Sequence, residues 1–423
     1  MAFFRRFGLF MVCGVLIESG FAGMLALGDV RSQMPAFFMC YGLAAAGYLF
    51  GVWQYRKMPL WGIVGLGVVF RFTLVFMVPG LSDDIYRYVW DGRMQHLGIN
   101  PYRYAPNEVA HLGEGAIFPN INHAELPTIY PPAAQVLFLL GYVLHPGIWG
   151  IKWVVVLADG ATVYGLFRLL QVVGANLRVL LIYWWHPLIV VEGAGSGHID
   201  AWGIALLIWA LFFLMTMRGK VAFVFLGGAV LIKLLPLVFA PFFVRLNKDW
   251  LRHKGGLALI LPAVLVLGYL PYAITGAPVL GSLGVYAQNW EFNNPVFYLL
   301  RSLLNDGLLV RKILGVGLVI WVLILCFKRL CPLWAAYLTS AGFLLLTPTL
   351  HPWYAIWLVP FLVFYRQPAW IGFTLLLPLS YHVLIAYQAQ GIWREDGWIW
   401  GVEFGALIGL GIARAIWLRK WAI

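Results

Sequence analysis

Long apolar runs, separated by short polar segments, make up most of this chain. A helix needs about 20 apolar residues to cross a bilayer. Runs of that kind lie at about 7–27, 35–54, 59–79, 149–170, 178–192, 200–217, 256–274, 308–327, 333–348, 353–365, 369–388 and 398–417. Two further apolar stretches fit poorly. Residues ~131–145 are short and follow Pro131-Pro132, and residues ~221–244 are broken by Gly227, Gly228, Lys233, Pro236 and Pro241. Both are predicted to be partial or re-entrant helices, which are tolerated at membrane depth where they line a protein cavity. The pattern predicts an all-α, polytopic transmembrane helical bundle with about 12 full spans. It forms a single integral membrane domain over 1–423, with no soluble domain and no internal repeat.

Composition narrows the class further. Of 423 residues, 62% are hydrophobic and only 11% are charged, against about 25% charged in soluble proteins. A collagen, a disordered tail, a disulfide scaffold and a nucleic-acid-binding domain are excluded. The net charge of +12 therefore points to membrane sidedness rather than to a nucleic-acid partner, because Lys and Arg concentrate on cytoplasmic loops. Arg5 and Arg6 precede the first apolar run without a small-residue cleavage site, so that run is expected to be an uncleaved span. With the N-terminus inside, about 18 of the 29 basic residues fall on inner segments, Lys248, Arg252 and Lys254 among them. Of 17 acidic residues only Asp249 falls clearly there. Both termini are expected in the cytoplasm. Cys13, Cys40, Cys326 and Cys331 show no metal spacing and are expected as free thiols. Neither a metal nor a cofactor is expected, and metal-independent turnover follows from that.

This sidedness assigns five segments to the outer face: ~80–130, the first large extracytoplasmic loop, then ~193–199, ~275–307, ~349–352 and ~389–397. They carry the unusual polar and aromatic content, and convergent polar groups on an apolar scaffold are the usual form of a binding site. The first begins Ser82-Asp83-Asp84-Ile85-Tyr86-Arg87-Tyr88-Val89-Trp90-Asp91-Gly92 and runs through Asn100-Pro101-Tyr102 to Tyr130-Pro131-Pro132. Adjacent carboxylates at an interface have raised pKa values, and a carboxylate there suits a general base acting on a hydroxyl. In a helix starting near Ser82, Asp84, Arg87 and Asp91 share a face. The competing reading is that Ser82, Asp83 and Asp84 merely cap that helix.

The second segment, Glu192-Gly193-Ala194-Gly195-Ser196-Gly197-His198-Ile199-Asp200, allows a tight turn and close approach of a ligand. His198 and Asp200 are candidates to hold polar substrate groups, and Asp200 also reads as a helix cap. Lys233 lies inside an apolar run, where an ionisable group marks a functional site by default, and a lysine at that depth suits a lipid-linked phosphate. Arg71, Lys152 and Asp159 are read as structural pairs, with Glu18 a candidate partner for Arg71. His351-Pro352-Trp353-Tyr354 stands at a span break, and interfacial Trp and Tyr are otherwise membrane anchors. Tyr286 to Pro295 adds aromatic and amide groups that suit sugar rings, and Arg394 adds a cation on the last outer segment.

The order Asp-Asp-x-x-Arg-Tyr-x-Trp-Asp-Gly, Asn-Pro-Tyr, Tyr-Pro-Pro, Gly-x-Gly-His-x-Asp, intramembrane Lys-Leu-x-Pro and His-Pro-Trp-Tyr resembles the polyprenyl-phosphate-mannose-dependent mannosyltransferases of the glycosyltransferase C superfamily. The likeness is to bacterial alpha-1,6-mannopyranosyltransferases and, more distantly, GPI mannosyltransferase I. It covers about residues 60–365. It implies a glycosyltransferase C bundle in the inner (plasma) membrane, with the active site facing the periplasm or outside. It implies Asp83 or Asp84 as the catalytic base, with Tyr86, Arg87, Tyr88, Asp91, Asn100, Tyr102 and Tyr130 shaping the loop and sugar site. Lys233 matches the family's intramembrane lysine and His351 its His-Pro-Trp motif, beside Trp353 and Tyr354. The implied partners are a polyprenyl-phosphate sugar donor, a glycan or lipid-linked acceptor and membrane lipids.

The chemistry is consistent on its own terms. Nucleotide sugars are confined to the cytoplasm, so an outward-facing transferase needs a sugar already carried across on lipid. A cation near the phosphate stabilises the leaving group, and one carboxylate base with direct displacement inverts the anomeric centre. The expected function is transfer of a sugar, with mannose favoured. The alternative is a transporter or flippase of a lipid-linked sugar, since broken helices and intramembrane charge also mark transporters. Missing repeats and a one-sided polar cluster argue against it. A non-catalytic scaffold leaves Lys233 without a role.

Overall fold

The computed structural model describes residues 2–113, 115–246 and 256–420. Lys248, Asp249, Arg252 and Lys254, expected on an inner loop, lie outside the described residues. The architecture is all-helical, and the one strand-like feature among the described residues is an isolated bridge between Phe292 and Thr349. The first half runs α1 (Ala2–Ala26), α2 (Met34–Gln54), α3 (Leu60–Val75), α4 (Asp84–His96), α5 (Pro132–Leu144), α6 (Ile148–Val172), α7 (Leu181–Trp184), α8 (Pro187–Val190), α9 (Asp200–Met215) and α10 (Gly219–Ile232).

Among the described residues, five helices are long and apolar enough to cross a bilayer: Met34–Lys57, Ile148–Val172, Gly307–Phe327, Pro368–Gln390 and Gly397–Ile416. Nine further apolar helical stretches of 10–17 residues lie among the described residues, one of them, Phe10–Ala26, being the greater part of α1. Five of the twelve hydropathy runs coincide with these helices, the 7–27 run lies in α1, and the others form shorter helices or broken pieces, several of them interrupted at Pro. Two runs read as continuous spans are broken. Residues 178–192 fold as two pieces bent by 58° at His186-Pro187, where proline removes a backbone donor. Residues 353–365 form two short helices, Pro352–Ala355 and Val359–Leu362, almost wholly buried inside the protein. Their apolarity serves the core rather than a lipid face. The break expected in 221–244 falls at Lys233, whose extended backbone (φ −151°, ψ 141°) ends α10 before a 3-10 turn at Leu235–Phe239.

Of the three charges expected in structural pairs, Arg71 and Asp159 pair with each other, whereas Lys152 is held by backbone carbonyls. Arg71 donates to Asp159 at 3.0 Å and to the carbonyls of Gly67 and Trp184, with its guanidinium over the Trp184 ring. The Tyr183 hydroxyl donates to the same Asp159. The expected Glu18–Arg71 pair does not form: Glu18 accepts from the Thr73 hydroxyl. Arg71 lies one helical turn from Gly67, so it turns toward Trp184 and α6 rather than toward α1. Lys152 donates to the carbonyls of Leu74 and Met77 at the C-terminal end of α3. The last carbonyls of a helix have no intrahelical donor and carry partial negative charge, so an ammonium satisfies both needs.

The loops sort to two ends of α2 and α3. At the end of α2, Arg366 donates to the Tyr55 hydroxyl, Arg178 to the Met58 carbonyl and Arg414 to the Arg366 carbonyl. These are residues of the basic, inner-loop set. At the other end, Arg31 precedes α2 and meets Asp83 beyond α3. The segments with polar and aromatic content gather there. At that end α4 packs closely on α5: a Cβ on Gly92 would lie 2.3 Å from the Phe138 carbonyl oxygen. Only glycine permits that approach, and it fixes α4 against the bundle.

Candidate active site

Asp83 and Asp84 open α4 and diverge at once. Asp83 occupies the N-cap position but its side chain makes no capping bond. It accepts from Arg31 at 2.6 Å, and Arg31 also donates to the Gly80 carbonyl, which ties the segment before α2 to the start of the 80–130 loop. The Ser82 hydroxyl accepts from the Asp84 amide at 3.3 Å, so the capping reading holds for Ser82 rather than for the acids. Asp84 points inward, with Oδ2 3.8 Å from His198 Nδ1, and keeps a quarter of its side chain accessible. Burial pushes its carboxyl above the usual carboxylate range. His198 and Lys233 oppose that shift, and Asp200 and Asp83 add to it.

The expected shared face on α4 forms in part. Arg87 and Asp91 make a buried i,i+4 pair at 2.8 Å. Arg87 also donates to the Leu126 carbonyl, and Asp91 accepts from Gln135. This pair pins the return of the first loop to α4 and α5. Asp84, one turn earlier, belongs to a different set of contacts. The tyrosines and Asn100 also act on the loop. Tyr88 stacks on Phe138 and meets the Tyr130 ring edge-on, and the Tyr102 hydroxyl donates to the Tyr130 carbonyl at 2.6 Å. Asn100 donates to the Tyr272 carbonyl and to Thr275, linking the loop to the helix Leu257–Ala273. Tyr86 is half-buried and packs with Ile117 between the first-loop clusters.

The Gly-rich segment brings His198 to Asp84. Gly197 has φ +79°, and a Cβ there would lie 2.6 Å from Ile85 Cδ1. A side chain at that position would be strained by backbone and by space alike. His198 is buried, and its ring stacks on Trp353 with centroids 4.3 Å apart. On the other face of Trp353 lies His351, at 4.1 Å, and beyond it Phe292, at 4.7 Å. Burial and the nearby His198 and Lys233 push the His351 imidazole down to about 3, so it stacks as a neutral ring. The Phe292 ring also meets Trp393, and the Asn293 amide donates to Glu395. With Asp84 facing His198, residues of all five polar segments therefore meet around one column of rings.

Lys233 reaches the same region from the end of α10. Its ammonium lies 2.7 Å and 2.8 Å from the two carboxylate oxygens of Asp200, and 4.6 Å from the Tyr354 ring centroid. Asp200 also accepts from the Trp357 indole at 2.7 Å. The cation is held by a fully buried carboxylate, which offsets the cost of placing charge in an apolar run. Two of its three N–H groups face Asp200, and its side chain stays a quarter exposed. Tyr354 shares a hydrogen bond with the Tyr286 hydroxyl. Arg394 stands apart: it is exposed and pairs with Asp396 in its own segment, because the loop's other acid, Glu395, turns inward to Asn293 and Tyr298.

Two buried acids have no role assigned from the sequence alone, although Glu192 opens the Gly-rich segment. Glu192 is fully buried, accepts from the Tyr381 hydroxyl at 2.9 Å, and lies 3.4 Å from His198 Nε2. Glu403, also fully buried, accepts from Asn293 at 2.9 Å. An acid in an apolar run was available as a signal for both.

The residues 30–248 match a family model described as alpha-(1->6)-mannopyranosyltransferase, N-terminal domain. The chain is 23% identical over 237 residues to alpha-(1->6)-mannopyranosyltransferase A of Corynebacterium glutamicum, covering 51% of this chain and 47% of that protein. It is 23% identical over 372 residues to a probable alpha-(1->6)-mannopyranosyltransferase of Mycolicibacterium smegmatis, covering 72% of this chain and 66% of that protein. The alignments thus span between about half and two thirds of these relatives.

Proposed function

This chain belongs to the alpha-(1->6)-mannopyranosyltransferase family, and from that premise we propose that it is a membrane glycosyltransferase acting at an extracytoplasmic site. It moves mannose from a polyprenyl-phosphate carrier to a glycan or lipid-linked acceptor. Asp84 is the general base. In this reading the shorter apolar helices also span the membrane, and the end that gathers Asp84, His198 and Trp353 faces outward.

The observation that carries the proposal is the environment of Asp84. It is a partly open carboxylate beside a held cation and an aromatic column, while its neighbour Asp83, about equally open, is taken up by Arg31. The Asp84 carboxylate accepts the acceptor hydroxyl proton. The hydroxyl oxygen bonds to the anomeric carbon as the bond from that carbon to the phosphate oxygen breaks. Polyprenyl phosphate leaves, with the remaining Lys233 N–H donating to it. Single displacement inverts the centre, so a β-linked donor yields an α-linked product. Trp353 and His351, each stacked on both faces within the column, build the wall of the site beside Tyr354.

The test is transfer of labelled mannose from polyprenyl-phosphate mannose by purified protein in lipid, with envelope extract as acceptor. Label in a new product supports the proposal. Sugar movement across vesicles without a new glycosidic bond would replace it with a transporter.

A further inference from the structure

Glu192 and His198 are held face to face by an unusual turn. The chain from Val191 to Gly195 forms a π turn, in which the Ser196 amide donates back to the Val191 carbonyl at 2.7 Å. Such turns are rare and recur at functional sites. The His198 amide then donates to the Glu192 carbonyl at 3.0 Å. The backbone thus fixes the two residues together, and their side chains meet again through Nε2 and Oε2 at 3.4 Å. This contact, like that of Nδ1 with Asp84, is an ion-pair distance rather than a hydrogen bond: both His198 ring nitrogens and Glu192 Oε2 are buried without a hydrogen-bond partner. On the far side, His198 Nδ1 faces Asp84. The result is a row of carboxylate, imidazole and carboxylate.

We infer that Glu192, acting through His198, is a positioning residue that keeps Asp84 ionised and in place to receive a proton. The inference rests on Asp84 being the base of the proposed transferase. An imidazole between two carboxylates donates to both only as the imidazolium. Glu192, sealed from solvent, supplies the fixed negative charge that favours this form. The His198 ring stacks on Trp353, an aromatic face favourable to a cation. Its charge counters the burial that disfavours an ionised Asp84. No proton is relayed in this arrangement: His198 keeps its proton while Asp84 gains one from the acceptor.

Other groups face the same atoms. Asp83, Asp200 and Lys233 act on Asp84, and Asp200 and Lys233 largely offset each other as a pair. Tyr88, Tyr130, Tyr286 and Tyr354 surround it as neutral phenols. Tyr41 and Tyr381 face Glu192, and His351 faces His198 across Trp353.

The test is an infrared titration of purified protein in lipid nanodiscs. The Asp84 carboxyl band is the one lost in Asp84→Asn. Its midpoint is expected to rise by about one pH unit or more in Glu192→Gln and in His198→Gln. The double variant is expected to shift no further than His198→Gln alone, because Glu192 acts through His198. Glu192→Asp, which keeps the charge, is expected to stay near wild type. An unchanged midpoint in Glu192→Gln, or additive shifts in the double variant, overturns the inference. Should Glu192→Gln fail to fold, an unchanged midpoint in His198→Gln overturns it equally. The titration needs no turnover, so a failed transfer assay in wild type strikes the proposed function while this coupling is read independently. Where transfer is measured, Glu192→Gln should regain activity at higher pH and Asp84→Asn should not.

Discussion

The Lys233 ammonium lies within hydrogen-bonding distance of both carboxylate oxygens of Asp200, which also accepts from the Trp357 indole. The three residues come from the end of α10, the start of α9 and the buried 352–363 segment. Asp200 thus both satisfies the cation and aims its remaining N–H. Lys233→Met is expected to lower kcat by roughly 10²-fold, the usual loss of one charge-stabilising donor. Asp200→Asn leaves the ammonium in place without its anchor and is expected to raise the donor KM more than it lowers kcat. Steady-state kinetics with varied donor separates the two. Equal kinetics for Lys233→Met and wild type would remove Lys233 from the site.

The pair Arg31–Asp83 is partly exposed on both sides, and such pairs contribute at most about 1 kcal/mol. Asp83→Asn is therefore expected to retain transfer within roughly fivefold of wild type. A loss matching that of Asp84→Asn would contradict the division of labour between the adjacent acids.

The pH dependence follows from the raised Asp84 pKa. A general base works only when ionised, so activity should fall as pH drops through that raised value, with its acid limb above about pH 4. The stability sign runs the other way. The folded state holds the Asp84 proton more tightly than the unfolded chain, so ionisation above the folded pKa weakens the fold. Asp84→Asn should then be at least as stable as wild type at neutral pH, in thermal unfolding in detergent, while transfer is lost. A destabilised Asp84→Asn would assign the residue to structure.

Arg71 and Asp159 are sealed inside the bundle with side chains 2% exposed. Removing one partner of a buried pair strands the other charge and costs about 3–5 kcal/mol. Arg71→Met is expected to lower the thermal midpoint sharply, whereas in the folded fraction turnover per molecule is unchanged. A variant with wild-type stability would show that the pair is not needed for the fold.

Much of this arrangement is legible along the chain. The convergence of five distant segments follows from hydropathy and charge alone, and the break at Lys233 follows from an ionisable group between apolar runs and Pro236. The choice between Asp83 and Asp84 does not. It depends on Arg31, 52 residues before Asp83, which no local pattern connects to it. The role of Glu192 is hidden for a different reason: it faces His198 through a π turn, and helical spacing rules assume the α-helical period. The 353–365 run misleads because apolar residues buried in protein and apolar residues facing lipid have the same hydropathy.

The measurement that tests the central claim most directly is transfer of labelled mannose from polyprenyl-phosphate mannose by Asp84→Asn, beside Asp83→Asn and wild type. All three are first shown to be folded. The account predicts loss of at least about 10²-fold in Asp84→Asn and near-normal transfer in Asp83→Asn. Near-normal transfer by Asp84→Asn would contradict it.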